Sequence, residues 1–581
     1  MEPTSTTQRR EPDTRPGVWH RRHTHEHRGA TSSSPSSDHF LDTTQSSTSE
    51  EEFADTKTPD EDEPSKITTK ISEKPLPEPP YHVFTRKEKW ALVYIVSLAG
   101  LFSPLSSNIY FPALGAIAKA LQTNIALVSL TVTIYMVVQG LAPSFWGPLS
   151  DTRGRRLTFM GTFTVYLMAN IGLAFSKDFT TLMIFRAIQA AGSAATISVG
   201  AGVIGDITTP KERGGFVGSF GGIRMLGQSI GPVIGGIITE YFGFHAIFWF
   251  LFILGTTALL LILLFLPETL RRIAGNGTIP LEGIYRPVFY SNFKRHWKYG
   301  DDTVKEAPPR ITPSTIFSPF RFLFEKDVFV TLFFGAIVYT VWSMITSSTT
   351  ALFQPRYGLG DLQVGLIFLP NGVGCVSGSY LTGKLLDRDY RIVEAAYRAS
   401  HGLSSEVALD RKKLADFPVS RARLRSSAYL VVPFILAVGG YGFAIDSPAL
   451  AAKPGMALPL VLQFVIAFTA TAVFTQNSAL MVDLYPGASA SATAVNNLIR
   501  CAIGAAGVAA IQFIIDDIGA GVTFLIFAII TLVLSPLLVL EWFYGEEWRK
   551  RRMERLEREK AEKRVLEGGE LGASGEMSQE K

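Results

Sequence analysis

The sequence predicts an all-helical polytopic membrane protein with twelve membrane-spanning helices in two related six-helix halves. Three observations predict this class. Apolar residues make up 47% of the 581-residue chain. Twelve apolar runs of about 20 residues, the length that crosses a bilayer, follow one another along it. A polar stretch, residues 268–327, separates the sixth run from the seventh.

We number these runs spans 1 to 12. They cover residues 90–112, 126–147, 157–176, 180–205, 213–238, 244–266, 328–352, 362–386, 427–446, 456–484, 490–515 and 521–543. The chain is then expected to divide into an N-terminal tail (1–85), a first half (86–267), a central loop (268–327), a second half (328–545, with a loop at 387–425) and a basic C-terminal tail (546–581). The N-terminal tail is rich in Ser, Thr, Pro and Glu, a composition typical of disorder.

The distribution of lysine and arginine predicts the orientation in the membrane. With the N-terminus inside, the outer loops hold few basic residues, whereas the inner loops hold dense basic clusters at 153–156, 268–327 and 388–425. Basic loops stay in the cytoplasm, so both termini are predicted to be cytoplasmic. No cleavable signal peptide is visible, because residues 1–85 lack an apolar core segment. The net charge of +4 therefore indicates topology, and we expect no nucleic-acid partner.

Arginines stand in the middle of three predicted spans. Arg224 lies in G-G-I-R-M-L-G-Q-S-I-G-P-V-I-G-G, residues 221–236 of span 5, and Arg500 lies in a second Ile-Arg pair in span 11. Span 11 is the equivalent of span 5 in the other half. Both arginines are about ten residues from the inner end of their spans, which at about 1.5 Å per residue is near the bilayer centre. Arg186 lies in span 4.

Acidic residues stay at or near the predicted span ends. These are Asp206, Glu240, Asp361, Asp446, Asp483 and Asp516. An arginine at the bilayer centre costs about 2.5–3.5 kcal/mol on insertion scales, so a functional reason is expected. Without acidic partners in the span centres, the three arginines predict a site for a multivalent anion. The alternative is a structural role, which stays fully open for Arg186.

Other polar residues in the spans are candidates to complete such a site. They are Asn108, Tyr110, Gln189, Ser193, Tyr339, Ser343, Gln476, Asn477, Asn496 and Asn497. Each of them could instead join helices to one another, because polar side chains form hydrogen bonds between membrane helices.

Several motifs resemble those of the major facilitator superfamily. G-P-L-S-D-T-R-G-R-R, residues 147–156, resembles its G-x-L-x-D-x-x-G-R-R/K signature. The glycines of span 5 are similar to the antiporter motif of its twelve-span drug/proton antiporter branch. Arg186 and Gln189 match the R-x-x-Q-G motif in part, because Ala190 replaces the glycine. A closer resemblance, to fungal citrate-exporter-type organic-acid transporters, is carried by residues 102–114, 189–198, 338–350 and 483–498.

The resemblance implies transport by alternating access. It implies an inner gate formed by Gly147, Asp151, Gly154, Arg155 and Arg156. Close helix packing is implied for Gly218, Gly227, Gly231, Pro232, Gly235 and Gly236, with span 8, which carries Gly374 and Gly378, as the neighbouring helix. Glycines four residues apart share one helix face and admit a neighbouring backbone.

We therefore predict a plasma-membrane exporter of a di- or tricarboxylate, citrate-like or itaconate-like. The alternative is a multidrug or toxin/proton antiporter, and a non-transporting carboxylate receptor is a third class. Expected partners are the small carboxylate and the lipid bilayer, with coupling to protons left open and the protein expected as a monomer. No phosphate loop, metal cluster or catalytic triad is visible, so no enzyme activity, cofactor or metal is predicted. A histidine cluster (His20, His23, His25, His27) in the N-terminal tail is read as solvated.

Overall fold

The computed structural model describes residues 82–209, 212–289, 324–402, 417–450, 453–484 and 489–576. The regular structure in these residues is helical. The first six spans are helices Arg86–Asn108, Ile125–Arg153, Arg155–Ala174, Phe179–Ile207, Arg213–Phe242 and His245–Phe265. Spans 7 to 12 are Lys326–Tyr357, Asp361–Ile367 continued by Leu369–Ser400, Ser427–Asp446, Ala457–Leu484, Ser489–Ile518, and Ala520–Leu534 continued by Pro536–Glu576.

The twelve-helix fold class is confirmed. In the described part of the chain, eleven helices are long and apolar enough to cross a membrane. The twelfth, Arg213–Phe242, is 30 residues long. Its mean hydropathy is lower because it combines many glycines with Arg224, Gln228 and Ser229. It nevertheless packs between span 1 and span 8.

Local sequence signals explain where several spans begin and end. The Thr85 side chain accepts a hydrogen bond from the Glu88 amide, and the Glu88 carboxylate accepts one from the Thr85 amide. The two bonds form a capping box at the start of span 1. Asn124 and Asp178 cap spans 2 and 4 in the same sense. Gly154 separates span 2 from span 3. Its φ of 107° is a backbone conformation that residues other than glycine rarely adopt.

The two halves repeat the same helix pairs. In the first half, span 1 packs on span 5, span 2 on span 4, and span 3 on span 6. In the second half, the corresponding pairs are spans 7 and 11, 8 and 10, and 9 and 12. Spans 2 and 11 contact each other across the halves, and so do spans 5 and 8. Spans 5 and 11, which carry the central arginines, therefore lie at the interface between the halves.

The glycine faces of spans 5 and 8 pack within their own halves. A methyl group on Gly227 or Gly235 would lie 2.8 Å from the Leu101 carbonyl oxygen or 2.0 Å from that of Ile109, both in span 1. Gly231 meets the same stretch of span 1. The face of span 8 that carries Gly374 and Gly378 contacts span 10, and not span 5. The expected neighbours, spans 5 and 8, do pack together, and of the predicted residues Pro232 and Gly236 contact span 8 at Gly365.

We call the end where span 1 begins the inner end and the opposite end the outer end. The halves approach closely toward the outer end. A methyl group on Gly236 would lie 2.7 Å from the Asp361 carbonyl oxygen. Thr350 donates a hydrogen bond to the Phe111 carbonyl at 2.8 Å, and the Leu362 amide donates to Glu240 at 3.2 Å. These close contacts and hydrogen bonds hold the halves together at the outer end.

Several predicted tail and loop segments lie partly or wholly outside the described residues. Residues 1–81, including the histidine cluster, are outside them. From residue 82 the chain is packed, since the Val83 amide donates to the Asn276 carbonyl at 3.0 Å. Span 8 continues as a helix to Ser400, beyond its predicted end. Glu541 lies inside the predicted span 12 and is fully buried. It was not among the acidic residues that the sequence placed at or near span ends.

Candidate substrate cavity

Arg224 and Arg500 occupy equivalent positions in the two halves. Each is the twelfth residue of a 30-residue helix, Arg213–Phe242 or Ser489–Ile518. Both line one cavity between the halves, with an empty volume of about 910 Å³ that includes its open side.

Both halves contribute to the wall of this cavity. Its residues are Pro104, Ser107, Asn108, Phe111, Val132, Met136, Gln139, Ile197, Arg224, Met225, Gln228, Tyr339, Trp342, Ser343, Thr346, Ala470, Thr471, Phe474, Arg500 and Val508. Within this described lining there is no aspartate, glutamate or histidine. The formal charge of the lining is therefore positive, and its neutral polar groups are hydroxyls and amides.

Arg500 is held by neutral groups on three sides. Its Nη2 donates a 2.7 Å hydrogen bond to Asn497 Oδ1, one turn earlier in span 11. The guanidinium carbon lies 4.3 Å from the ring centroid of Tyr339 and 4.8 Å from that of Phe474. Aromatic faces attract the cation but leave N–H groups free at the edge of its plane. The Nε of Arg500 is buried without a hydrogen-bond partner.

Arg224 has even less compensation. In the described part of the chain it forms no ion pair or hydrogen bond, and its Nε is buried without a partner. The positive charge of Arg500 acts on it through the cavity. Gln228 follows one helical turn later and lines the same wall. The half-buried guanidinium therefore has no described partner where it lines the cavity, which suits the binding of an anion.

Arg186 lies in a separate polar cluster inside the first half and does not line the cavity. Its guanidinium is fully buried between the rings of Tyr110, at 4.1 Å, and Tyr135, at 4.5 Å. Nη1 donates to Gln189 Oε1 at 2.7 Å and to the Ser106 carbonyl at 3.3 Å. Nε and Nη2 are buried without a described hydrogen-bond partner, but Arg186 is not part of the cavity lining, so we interpret it as structural.

The remaining sequence candidates divide between these two places and the helix interfaces. Asn108, Tyr339 and Ser343 line the cavity. Asn497 is not part of the lining but accepts a hydrogen bond from Arg500, which is. Tyr110, Gln189 and Ser193 belong with the Arg186 cluster, where the hydroxyls of Ser193 and Tyr135 are 2.7 Å apart.

Three candidates lie away from the lining. Gln476 donates to the Arg423 carbonyl at 2.5 Å, and Asn477 donates to the Thr331 carbonyl at 3.3 Å. Asn496 is buried beside the cavity-facing residues of span 11 and is not part of the lining.

Sequence reasoning missed several cavity residues. Gln228 carried a usable signal, because it lies four residues after Arg224 on the same helix face. Gln139 and Thr346 lie in spans whose other polar residues are numerous, so no single one stood out. Trp342 and Phe474 are aromatic residues in apolar spans, and only the fold shows that they face the arginines.

The signature segment, residues 147–156, joins spans 2 and 3 through Gly154 and forms a dense network at the inner end. Arg156 donates to the carbonyls of Ile262 at 2.5 Å, Leu263 at 2.9 Å and Leu266. These bonds cap the end of span 6. Glu268 accepts from the amides of Arg155, at 2.8 Å, and Arg156, at 3.0 Å, at the positive end of span 3.

The acidic residue of the signature pairs within its own half. Asp151 accepts a hydrogen bond from Arg155, which also pairs with Asp206 at 3.0 Å. The Asp151 side chain is 63% exposed. Gly147 has no atom within 4 Å of the position that a Cβ would occupy. The assignment of these residues to an inner gate stays a prediction.

Two repeated six-helix halves around a charged central cavity define a polytopic membrane transporter. The family model described as Major Facilitator Superfamily matches residues 96–399. The chain belongs to the major facilitator superfamily. It is accordingly a transporter and not an enzyme.

Curated relatives extend the match over most of the chain. It is 54% identical over 494 residues to citrate exporter 1 of Aspergillus niger, which covers 85% of this chain and 92% of that protein. It is 34% identical to the MFS-type transporter tstD of Talaromyces stipitatus, covering 83% and 86% of the two chains. It is 31% identical to the MFS antiporter QDR2 of Candida albicans, covering 80% and 91%.

Proposed function

We propose that this protein exports a small di- or tricarboxylate, citrate-like or itaconate-like, across the plasma membrane by alternating access. The observation that carries this proposal is the pair Arg224 and Arg500 in one cavity whose described lining holds no acidic residue. Two guanidinium groups from opposite halves can each take one carboxylate of the same small acid. The 54% identity to a citrate exporter supports the same substrate class.

The neighbours of the arginines suit a polar anion. Each guanidinium offers planar N–H forks that match carboxylate geometry. Gln139, Gln228 and Ser343 supply neutral groups that can bind carboxylate oxygens or a hydroxyl without adding charge. The aromatic faces of Tyr339 and Phe474 hold Arg500 in place, so less freedom is lost when an anion binds.

The interface between the halves supports alternating access. The close contacts between Gly236 and Asp361 and between Thr350 and Phe111 close the outer end. Release on the other side requires these contacts to separate while the inner ends come together. Asp151 and the arginines of the signature segment are proposed to stabilise that inner closure, and both termini are proposed to be cytoplasmic.

A multidrug or toxin/proton antiporter is the second candidate function, favoured by the resemblance to QDR2 at 31% identity. A desolvated cationic drug needs a negative or aromatic partner. The cavity offers aromatic faces, but two of them are already covered by Arg500. The anion exporter is therefore the better match to the lining.

The test is transport by the purified full chain in vesicles. We expect labelled citrate or itaconate trapped inside right-side-out proteoliposomes to leave faster than from protein-free vesicles when the external medium holds unlabelled citrate. We expect a panel of cationic drugs to inhibit cells lacking the protein no more than cells that carry it. Greater drug sensitivity in cells lacking the protein, without any citrate or itaconate flux in the vesicles, would favour the antiporter over the exporter. Orientation is measured in the same cells by protease access to an epitope on each terminus.

A further inference from the structure

We propose that this carrier is an obligate anion exchanger: it changes sides only when an anion with at least two negative charges neutralises Arg224 and Arg500, so each exported acid is matched by an imported polyvalent anion. The inference rests on the proposed export function and adds the counter-substrate. It follows from the charge of the cavity and from the helices on which that charge lies.

The first step is the charge of the cavity. Arg224 and Arg500 contribute two positive charges, and no acidic residue is present in the described lining. The partners of Arg500 are an amide oxygen and two aromatic rings, all neutral. Arg224 has no described hydrogen-bond or ion-pair partner. No group of the lining can therefore neutralise either charge.

The second step concerns the motion. Span 5 carries Arg224 and contacts span 8 across the halves, and span 11 carries Arg500 and contacts span 2. A rocking motion of the halves has to rearrange these two interfaces. Between the two open states the cavity is closed at both ends and loses most of its water. Repulsion between two like charges grows as the effective dielectric constant falls. Unpaired buried charges are also strongly destabilising.

The third step is the effect of the substrate. An anion with two carboxylates replaces that repulsion by two attractive interactions, so the loaded carrier can pass through the closed state. A monovalent anion leaves one arginine uncompensated. The carrier without a polyvalent anion is therefore held in its open states. Return after export requires a second polyvalent anion, either another small carboxylate or inorganic phosphate.

Among the described residues, the lining also contains no aspartate, glutamate or histidine that could bind a proton in exchange for the substrate. A proton-coupled antiporter needs a group that binds a proton when the substrate leaves, and carboxylates or histidines are the usual groups. The described cavity lining contains neither type. Protonation of the wall therefore cannot remove the two positive charges, and the counter-substrate has to be an anion.

The experiment compares net efflux with exchange in proteoliposomes that contain the purified full chain. Vesicles are loaded with labelled citrate, and potassium with valinomycin clamps the membrane potential. External medium holds either potassium gluconate, a monovalent anion, or unlabelled citrate. We expect efflux to be about tenfold or more faster into citrate, since one unpaired buried charge costs at least that factor. Equal efflux into both media overturns the exchange proposal.

A variant tests the origin of the effect. Arg224→Gln leaves Arg500 as the single arginine of the cavity, and monovalent gluconate can neutralise that one charge. The ratio of efflux into citrate to efflux into gluconate should therefore fall toward one, even though citrate binds more weakly. Arg356→Gln is the matched control, because Arg356 is at the outer end of span 7, where it donates to the Ser447 carbonyl at 2.6 Å. Its ratio should equal that of the parent. A parent-like ratio in Arg224→Gln contradicts the charge mechanism.

Direct binding separates this proposal from the export function. Citrate binding to the purified parent is measured by calorimetry. If citrate neither binds nor leaves the vesicles, the exporter proposal itself fails. If citrate binds and leaves equally fast into gluconate and citrate, export stands and exchange is wrong.

Discussion

Asn497 connects the Arg500 guanidinium to the opposite half of the protein. Its Oδ1 accepts the 2.7 Å hydrogen bond from Arg500, and its Nδ2 donates to the Gln139 carbonyl of span 2 at 3.2 Å. One amide thus orients a cavity cation and bridges spans 11 and 2. Asn497 therefore contacts both the cavity arginine and the interface between the halves.

Asn497→Asp should weaken anion binding more than Asn497→Ala. The carboxylate would pair with Arg500 and compete with the substrate, whereas alanine only removes the orienting bond. Charge-assisted hydrogen bonds contribute about 1.5–3 kcal/mol, so we expect a loss of about tenfold or more in citrate affinity for the aspartate variant. Calorimetry on purified protein measures it. Asn496→Asp is the matched control, and equal affinities for the two aspartate variants would refute the role of Asn497.

The sequence was sufficient to predict the helices and the central arginines, but only part of their surroundings. Apolar runs define spans because length and hydropathy are local properties. The equivalence of Arg224 and Arg500 is visible because the halves repeat. The placement of Arg186 depends on Tyr110 and Tyr135, which lie far from it in the chain. Such packing between distant residues has no local signal.

The glycine face of span 5 also could be predicted only in part from the sequence. Gly227, Gly231 and Gly235 predict a close helix contact, because their spacing places them on one face. The spacing does not identify the partner helix. The structure shows that the partner is span 1, because its backbone at Leu101 and Ile109 contacts the glycines.

Asp151→Asn should slow transport without changing citrate affinity. The side chain lies in the signature segment far from the cavity lining, so it cannot act as a ligand in the described state. Loss of its charge weakens the proposed inner closure and leaves Arg155 paired with Asp206. Flux and binding are measured on the same preparation. Asp178→Asn, at the opposite end of the bundle, is the control, because asparagine also caps a helix. Normal flux in Asp151→Asn would show that the gate assignment is wrong.

Gly235→Ala should destabilise the first half, and Gly218→Ala should not. A methyl group at residue 235 would lie 2.0 Å from the Ile109 carbonyl oxygen, whereas residue 218 has no atom within 4 Å of that position. Overpacking of this kind costs about 1–3 kcal/mol. The apparent melting temperature of purified variants measures the difference. Equal melting temperatures would contradict the close packing of spans 1 and 5.

Acidification should loosen the segment that precedes span 1. Burial, with the charges of Lys89 and Arg271, lowers the pKa of His82 from 6.5 to about 3. The packed segment holds the neutral ring, so its docking is fully favourable above pH 6.5 and weakens as the pH falls toward 3. Hydrogen exchange of residues 82–85, corrected for intrinsic pH effects, should therefore speed up at pH 5. His82→Phe should remove this dependence, and an unchanged dependence would exclude His82 as its cause.

The central claim is that Arg224 and Arg500 bind the two ends of one anion. Its most direct test is the citrate and itaconate affinity of purified, monodisperse Arg224→Ala and Arg500→Ala. Each should bind about ten- to a hundredfold more weakly than the parent, and the lysine variants should fall between, because lysine keeps the charge but loses the planar fork. Well-folded alanine variants that bind both acids as tightly as the parent would contradict the anion site.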